Sequence, residues 1–180
     1  GKKPEGYDES LSIGKVKCFY GNFLVALRAA VYIDTLGAEG IKDAAQKAVL
    51  NANYLMEGLK EFYPVAYDRV CMHEFVLTLE NLKHEKGVSA MDVAKAMLDY
   101  GIHPPTMYFP LIVHEDLMFE PTETETKETL DEAIRVLGEI RQIAEKDAQS
   151  LHEAPHRTII GRVDEVRAAR QPVLKYAFND

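Results

Sequence analysis

Apolar residues recur along this chain with two different periods, and the switches between them mark out its elements. In "FYGNFLVALRAAVYIDTLG", Phe23, Leu24, Leu27, Val31 and Tyr32 fall at helical spacing, which predicts a helix over 20–36 stopped by Gly37. Val25, Ala29, Ala30 and Ile33 fill most of its remaining circumference, so it is expected to be buried on several sides, with a face built to meet another domain. A second helix over 39–61 carries one apolar stripe, from Ile41 through Ala44, Ala45, Ala48, Val49, Ala52, Leu55 and Met56 to Leu59. "CMHEFVLTLE" changes to rough alternation with β-branched and aromatic residues, a strand over 72–80, and "NLKHEKG" reads as a loop. Ser89, with Asp92 three residues on, caps a helix that runs to Tyr100 and stops at Gly101. Pro104 and Pro105 then force extended or turn backbone. Met107–Val113 and Leu117–Phe119 read as short strands, the first demoted by Pro110 to an edge or irregular segment. Leu130, Ala133, Ile134, Leu137, Ile140 and Ala144 give one face of a last long helix over 123–146. A short helix near 163–169 lies in a tail expected to wrap over the domain. The fold class is α+β, helices packed on one face of a small sheet.

Composition narrows the function classes. With 180 residues and 47% hydrophobic content the chain can bury a core, and a net charge of -8 argues against generic nucleic-acid binding, which needs a basic footprint. The longest apolar stretch, Phe23 to Ile33, is interrupted by Arg28 and too short to span a bilayer, so no membrane partner is expected. Two cysteines, Cys18 and Cys71, are too few for a disulfide scaffold, and a reduced, cytoplasmic compartment is the expectation. The chain opens on Gly1, and "GKKPEGYDESLSIG" is polar and punctuated by Pro and Gly. Residues 1–13 read as a linker ahead of a domain over 14–180, the whole a piece of something longer.

Several patches could carry chemistry. "HEAPH", His152 to His156, matches the letters of a zinc-protease motif, but Pro155 breaks the helical turn that would align the two histidines, and no metal is expected there. Thr122, with Glu125 three residues on, reads as a capping box, and Glu123 and Glu125 suit the start of a helix. Free N–H groups there could hold a carboxylate or phosphate, although the glutamates oppose an anion. His73 and Glu74 open a strand, where a histidine is more often structural, and His103 precedes a rigid Pro-Pro turn that could aim its ring. Asn22 is placed to cap the first helix, with Tyr20 and Gly21 beside it. There is no Gly-rich phosphate loop, nucleophile elbow or CxxC pair, so the chain does not read as a self-sufficient enzyme.

"LGAEGIKDAAQKAVLNANYL" resembles a pattern widespread among fold-type I pyridoxal phosphate enzymes. "MHEFVLTL", "HPPTMYFPLIVHE" and "EPTETETK" are more specific. Together with "VDEVRAARQPVLKY" they resemble, in this order, the C-terminal part of the glycine dehydrogenase (decarboxylating) family, the P-protein of the glycine cleavage system, in its subunit 2 form. The resemblance implies the small C-terminal domain of a fold-type I enzyme. In that family pyridoxal phosphate chemistry decarboxylates glycine and passes the aminomethyl group to the lipoyl group of H-protein. It implies as partners an N-terminal large domain that carries the Schiff-base lysine, subunit 1, and lipoylated H-protein. On this reading His103, Thr106, Thr122 and Glu123 face the substrate cleft, with Tyr20 and Asn22 as supports, and the fragment alone is inactive. The rival is a stand-alone, non-catalytic interaction module with the same fold.

Overall fold

The computed structural model describes residues 8–14 and 21–175, whose contacts divide the chain within its first long helix into two units, 1–42 and 43–180. Helix α1 runs Phe23–Leu59 and is broken at Gly37, which takes φ 63° and ψ -175°. That positive φ suits glycine and ends the first helical stretch where the sequence places its stop.

In the first unit, a short 3-10 turn at Glu9–Leu11 precedes the helix, and the Asp8 carboxylate accepts from the Ser10 N–H and hydroxyl. The expectation that this first helix is buried on several sides is not met among the described residues. Phe23 is 73% exposed and Ile33 54%, and Leu24, Val25, Leu27, Val31 and Tyr32 are exposed with them. An apolar circumference states what a helix prefers to touch, and nothing in these residues supplies the cover.

The second unit contains the core. The stripe of α1 is buried only in its second half, at Ala52, Leu55, Met56 and Leu59; Ile41 and Ala45 are exposed. Strands β1 (Phe75–Thr78), β2 (Thr106–Met107) and β3 (Asp116–Phe119) form an antiparallel sheet in the order β1-β3-β2. Register pairs Phe75 with Phe119 and Leu77 with Leu117, and these four with Met107 form the face turned to the helices. The Phe75 and Phe119 rings stack at 5.4 Å. Segment 64–66 covers the outer edge of β1, through Ala66 N–H to Val76 O and Thr78 N–H to Pro64 O.

Helix α2 (Glu80–Lys86) replaces the loop expected at "NLKHEKG". Its N-cap is Leu79, with no side-chain cap, so the usual start signal is missing; Leu82 roots it in the core and Gly87, at φ 75°, closes it. Helix α3 (Ala90–Leu98) has the reciprocal capping box of Ser89 and Asp92 that the sequence indicates. Helix α4 (Lys127–Lys146) starts four residues later than expected, with Thr126 as its N-cap. It packs closely at two glycines: a Cβ on Gly138 would sit 2.9 Å from the Phe62 ring, and one on Gly58 of α1 would sit 2.3 Å from Ile134 Cδ1.

Helix α5 (Ala148–Glu153) and α6 (Glu165–Arg170) complete the described chain. The described residues of the tail beyond Pro155 do not wrap over the domain. Residues 156–175 are exposed throughout, Ile159, Ile160, Val173 and Leu174 included. Two anchors hold the root of this extension. The Asp99 carboxylate accepts from the N–H groups of His156 and Arg157, and Arg162 donates to Asp92 at 2.8 Å and to the carbonyls of Ala154 and Leu151.

Candidate functional site

Antiparallel pairing brings the start of β1, the end of β3 and the start of β2 to one end of the sheet. Three of the singled-out motifs are therefore neighbours: "MHEF" leads into β1, "HPPT" into β2, and "EPTETE" leaves β3. His73 Nε2 lies 3.9 Å from Glu74 Oε2 and 3.9 Å from Glu120 Oε1, which ties the first and third motifs together. Thr106 pairs with Met118 and is exposed, as are His103 and Thr122, while Glu123 is half-buried. Glu74, Glu120, Glu123 and Glu125 belong to the segments that meet at this end, so its bias is acidic. That bias favours a cationic or zwitterionic ligand over a phosphate.

The "EPTETE" segment is a turn and not the first turn of a helix. The proposed capping box of Thr122 and Glu125 does not form: Thr122 Oγ1 lies 2.7 Å from Thr124 Oγ1, and Thr126 caps α4 by accepting from the Thr129 N–H. A residue of α1 bonds this turn. Asn51 Nδ2 of α1 donates to Thr122 O at 2.8 Å and to Glu125 O at 3.1 Å. The Glu125 carbonyl is one that an earlier helix start would need for its own ladder. Two residues on, Asn53 pairs with the Cys71 backbone, accepting its N–H at 3.0 Å and donating to its carbonyl at 2.8 Å. Tyr54 donates to Asp131 of α4 at 2.5 Å, and Lys127 lies over the Tyr54 ring. One turn of α1 thus fixes the approach to β1, the exit from β3 and the start of α4. The sequence reading passed over these residues; the available signal was Asn51 and Asn53 interrupting the apolar series between Val49 and Leu55.

Asn22 lies in the other unit, before the first helical residue, with its carbonyl accepting from the Ala26 N–H. Tyr20 and Cys18 fall outside the described residues. "HEAPH" serves the root of the extension. His152 Nδ1 faces Asp92 Oδ2 at 3.1 Å, while His156 Nε2 lies 2.8 Å from Ser150 O. Ala154 is extended (ψ 147°), as the following proline dictates. Among the described residues no group of three His, Cys, Asp or Glu side chains is placed to hold a metal ion. Nor does any helix there have the length and apolarity to cross a membrane.

Burial pushes the Asp92 carboxyl up, but bonds from the Ser89 hydroxyl and N–H, with Arg162, outweigh it and hold the group below its ordinary value. Asp116 shows the opposite balance. It is fully buried with neither oxygen hydrogen-bonded, and burial raises its pKa against the pull of nearby backbone N–H groups.

The described residues do not by themselves make a pyridoxal phosphate site. Of their lysines all are exposed except the half-buried Lys60 and Lys95, and Lys60 is ion-paired with Glu57 and Asp68. A lysine that condenses with an aldehyde cofactor needs a cleft and a free amine.

Comparison with known proteins places this architecture. A family model described as "Glycine dehydrogenase, C-terminal domain" matches residues 44–159. "Probable glycine dehydrogenase (decarboxylating) subunit 2" of Treponema denticola is 61% identical over 94% of this chain and 35% of its own length. The protein of the same description from Thermosipho melanesiensis is 53% identical over 97% of this chain and 36% of its own. A crystal structure of glycine decarboxylase (P-protein) of the glycine cleavage system, in inhibitor-bound form, superposes with TM-score 0.55 at 28% identity, covering 65% of this chain and 26% of that one. This chain spans about a third of the length of the curated relatives it matches. The α+β architecture and these matches together show that the chain belongs to the glycine dehydrogenase C-terminal domain family.

Proposed function

We propose that this chain is the C-terminal small domain, over residues 14–180, of a pyridoxal phosphate-dependent glycine-decarboxylating subunit, and that it is inactive by itself. The observation that carries this reading is the high identity over nearly the whole chain to relatives almost three times as long. The rest of such a protein supplies the large domain and the cofactor lysine. Pyridoxal phosphate supplies the electron sink for loss of carbon dioxide. The relatives' designation as subunit 2 supports a companion subunit, and lipoylated H-protein takes the aminomethyl group. The compartment is cytoplasmic.

In this reading the sheet end is the rim of the substrate cleft. His103 and Thr106 lie on one side, and Thr122 and Glu123 on the other. The exposed apolar stretch Phe23–Ile33 beds against the large domain, which removes its side chains from water. The test is glycine-dependent carbon dioxide exchange by the complete subunit assembled with its companion and lipoylated H-protein. Activity is expected there and absent from residues 1–180 alone, and Thr122→Ala with Glu123→Ala should raise KM for glycine. An upstream reading frame unrelated to a pyridoxal phosphate domain, or unchanged kinetics in both variants, overturns it.

A further inference from the structure

The local sequence offers two starts for α4, one at Glu123 behind Thr122 and one at Lys127 behind Thr126. Thr122, Glu125 and the acidic first turn suit a helix beginning at Glu123. The structure has a turn there instead, and the bonds that its backbone N–H groups donate are long, Glu125 N–H to Thr122 O at 3.3 Å and Thr124 N–H to Thr122 Oγ1 at 3.4 Å, while the short internal contact joins the Thr122 and Thr124 hydroxyls at 2.7 Å. The shortest bond to its backbone comes from Asn51, at 2.8 Å to Thr122 O, with a second to Glu125 O. Asn51 is well placed for this. It adjoins Ala52, which is fully buried, and it stands one turn before Leu55, so core packing fixes its backbone. The amide nitrogen donates to both carbonyls. A helix through Thr126 would turn the Glu125 carbonyl toward the Thr129 N–H; here it accepts from Asn51, the Thr129 N–H goes to Thr126 Oγ1, and Thr126 is extended (φ -85°, ψ 164°) and caps α4 from outside.

We propose that Asn51 is a positioning residue: its carboxamide selects the 122–125 turn over an earlier helix start, and so sets where Thr122 and Glu123 stand. The placement of these two residues in a substrate cleft rests on the function proposed above; the selection of the turn does not.

The test is NMR on this chain, read at Thr126. In Asn51→Ala, and in Asn51→Asp, which keeps the volume but offers no amide donor, the Cα and Cβ shifts of Thr126 should move from extended to helical values. Asn53→Ala, which also removes bonds from α1 to a loop, is the control for general loosening and should leave Thr126 extended. Extended shifts at Thr126 in both Asn51 variants overturn the proposal; should the alanine variant not fold, the aspartate variant decides. A second arm uses the complete two-subunit enzyme, where Asn51→Ala should raise KM for glycine about tenfold with a smaller change in kcat. A helical Thr126 with unchanged KM upholds the selection by Asn51 and counts instead against the cleft assignment.

Discussion

Asp116→Asn should stabilise this protein at neutral pH, an uncommon outcome for a substitution at a fully buried position in the central strand. Asp116 opens β3 opposite Thr78, is 0% exposed, and offers both carboxylate oxygens to no hydrogen-bond partner among the described residues. The N–H groups of Asp116 itself, Phe109 and Tyr108 lie near enough to favour the charge but outside hydrogen-bond geometry, while Glu115 adds a second negative charge beside it. Burial is the largest influence, and the carboxyl is raised above its ordinary value of 3.8. An unpaired buried polar group costs about 1–3 kcal/mol, and more when charged. Asparagine keeps the shape and removes the charge, so the gain at pH 7 is on the order of 1–2 kcal/mol. Each kcal/mol moves the thermal midpoint by roughly 2–4 °C for a chain of this size.

The pH dependence has a definite sign. Because the folded pKa lies above the unfolded one, the native state holds the proton more tightly, and stability falls as pH rises from the ordinary carboxylate range through the raised value. Above that window the wild-type protein carries the full penalty, and below it the carboxyl is neutral and the penalty is gone. Urea melts of both proteins from pH 3 to pH 8 therefore should show the asparagine variant ahead at pH 7 and level with wild type at the acid end. A variant less stable at pH 7 by more than about 1 kcal/mol would mean that the carboxylate is solvated or bonded after all. A gain that persists unchanged at low pH would mean that its charge is not the cause.

Asp92→Ala removes the acceptor shared by Ser89, His152 and Arg162, and should cost about 3 kcal/mol, with trypsin then cutting faster at Arg157 and Arg162. Because the Asp92 pKa is depressed, its contribution should be present above the ordinary carboxylate range and lost as pH falls through the folded value; a flat acid limb relative to the alanine variant counts against this. Gly138→Ala places a methyl 2.9–3.2 Å from the Phe62 ring and should destabilise by about 1–2 kcal/mol despite alanine's better helix propensity. Phe62→Leu in the same chain should recover most of that loss, and a double-mutant cycle with no coupling refutes the contact.

Residues whose own neighbours decide their conformation were legible in the sequence. Gly37, Gly101 and the Ser89–Asp92 box act within a few residues, and each does what its chemistry predicts. The alternation of β1 and the stripe of α4 were legible for the same reason, although Gly138 on the buried face of α4 is understood only once Phe62 is beside it. Where the sequence reading failed, a partner distant in sequence had made the choice. Helix α2 has the apolar Leu79 at its N-cap and is held by Leu82 in a core assembled from the whole second unit. The Thr122–Glu125 box is sound local chemistry, overruled by an amide 71 residues away. The first helix shows the converse limit, since its composition reveals that it wants cover and says nothing about what provides it.

The "NANYL" turn of α1 accounts for why the candidate site was only half visible. Asn51, Asn53 and Tyr54 point in different directions from one helical turn, and each ends on a different segment: the exit from β3, the approach to β1, and α4. Read along the sequence they are three unremarkable polar residues. Read across the sheet end, they are the shared foundation of two of the motifs that converge there. The motif side chains sit on short strands and turns, with β2 only two residues long, and such segments cannot fix their own geometry. A helix whose next turns bury Leu55, Met56 and Leu59 can. Precision at this end of the sheet is therefore borrowed from the core through side-chain amides, and substitutions in α1 that touch none of the rim side chains should disturb the rim as much as substitutions within it.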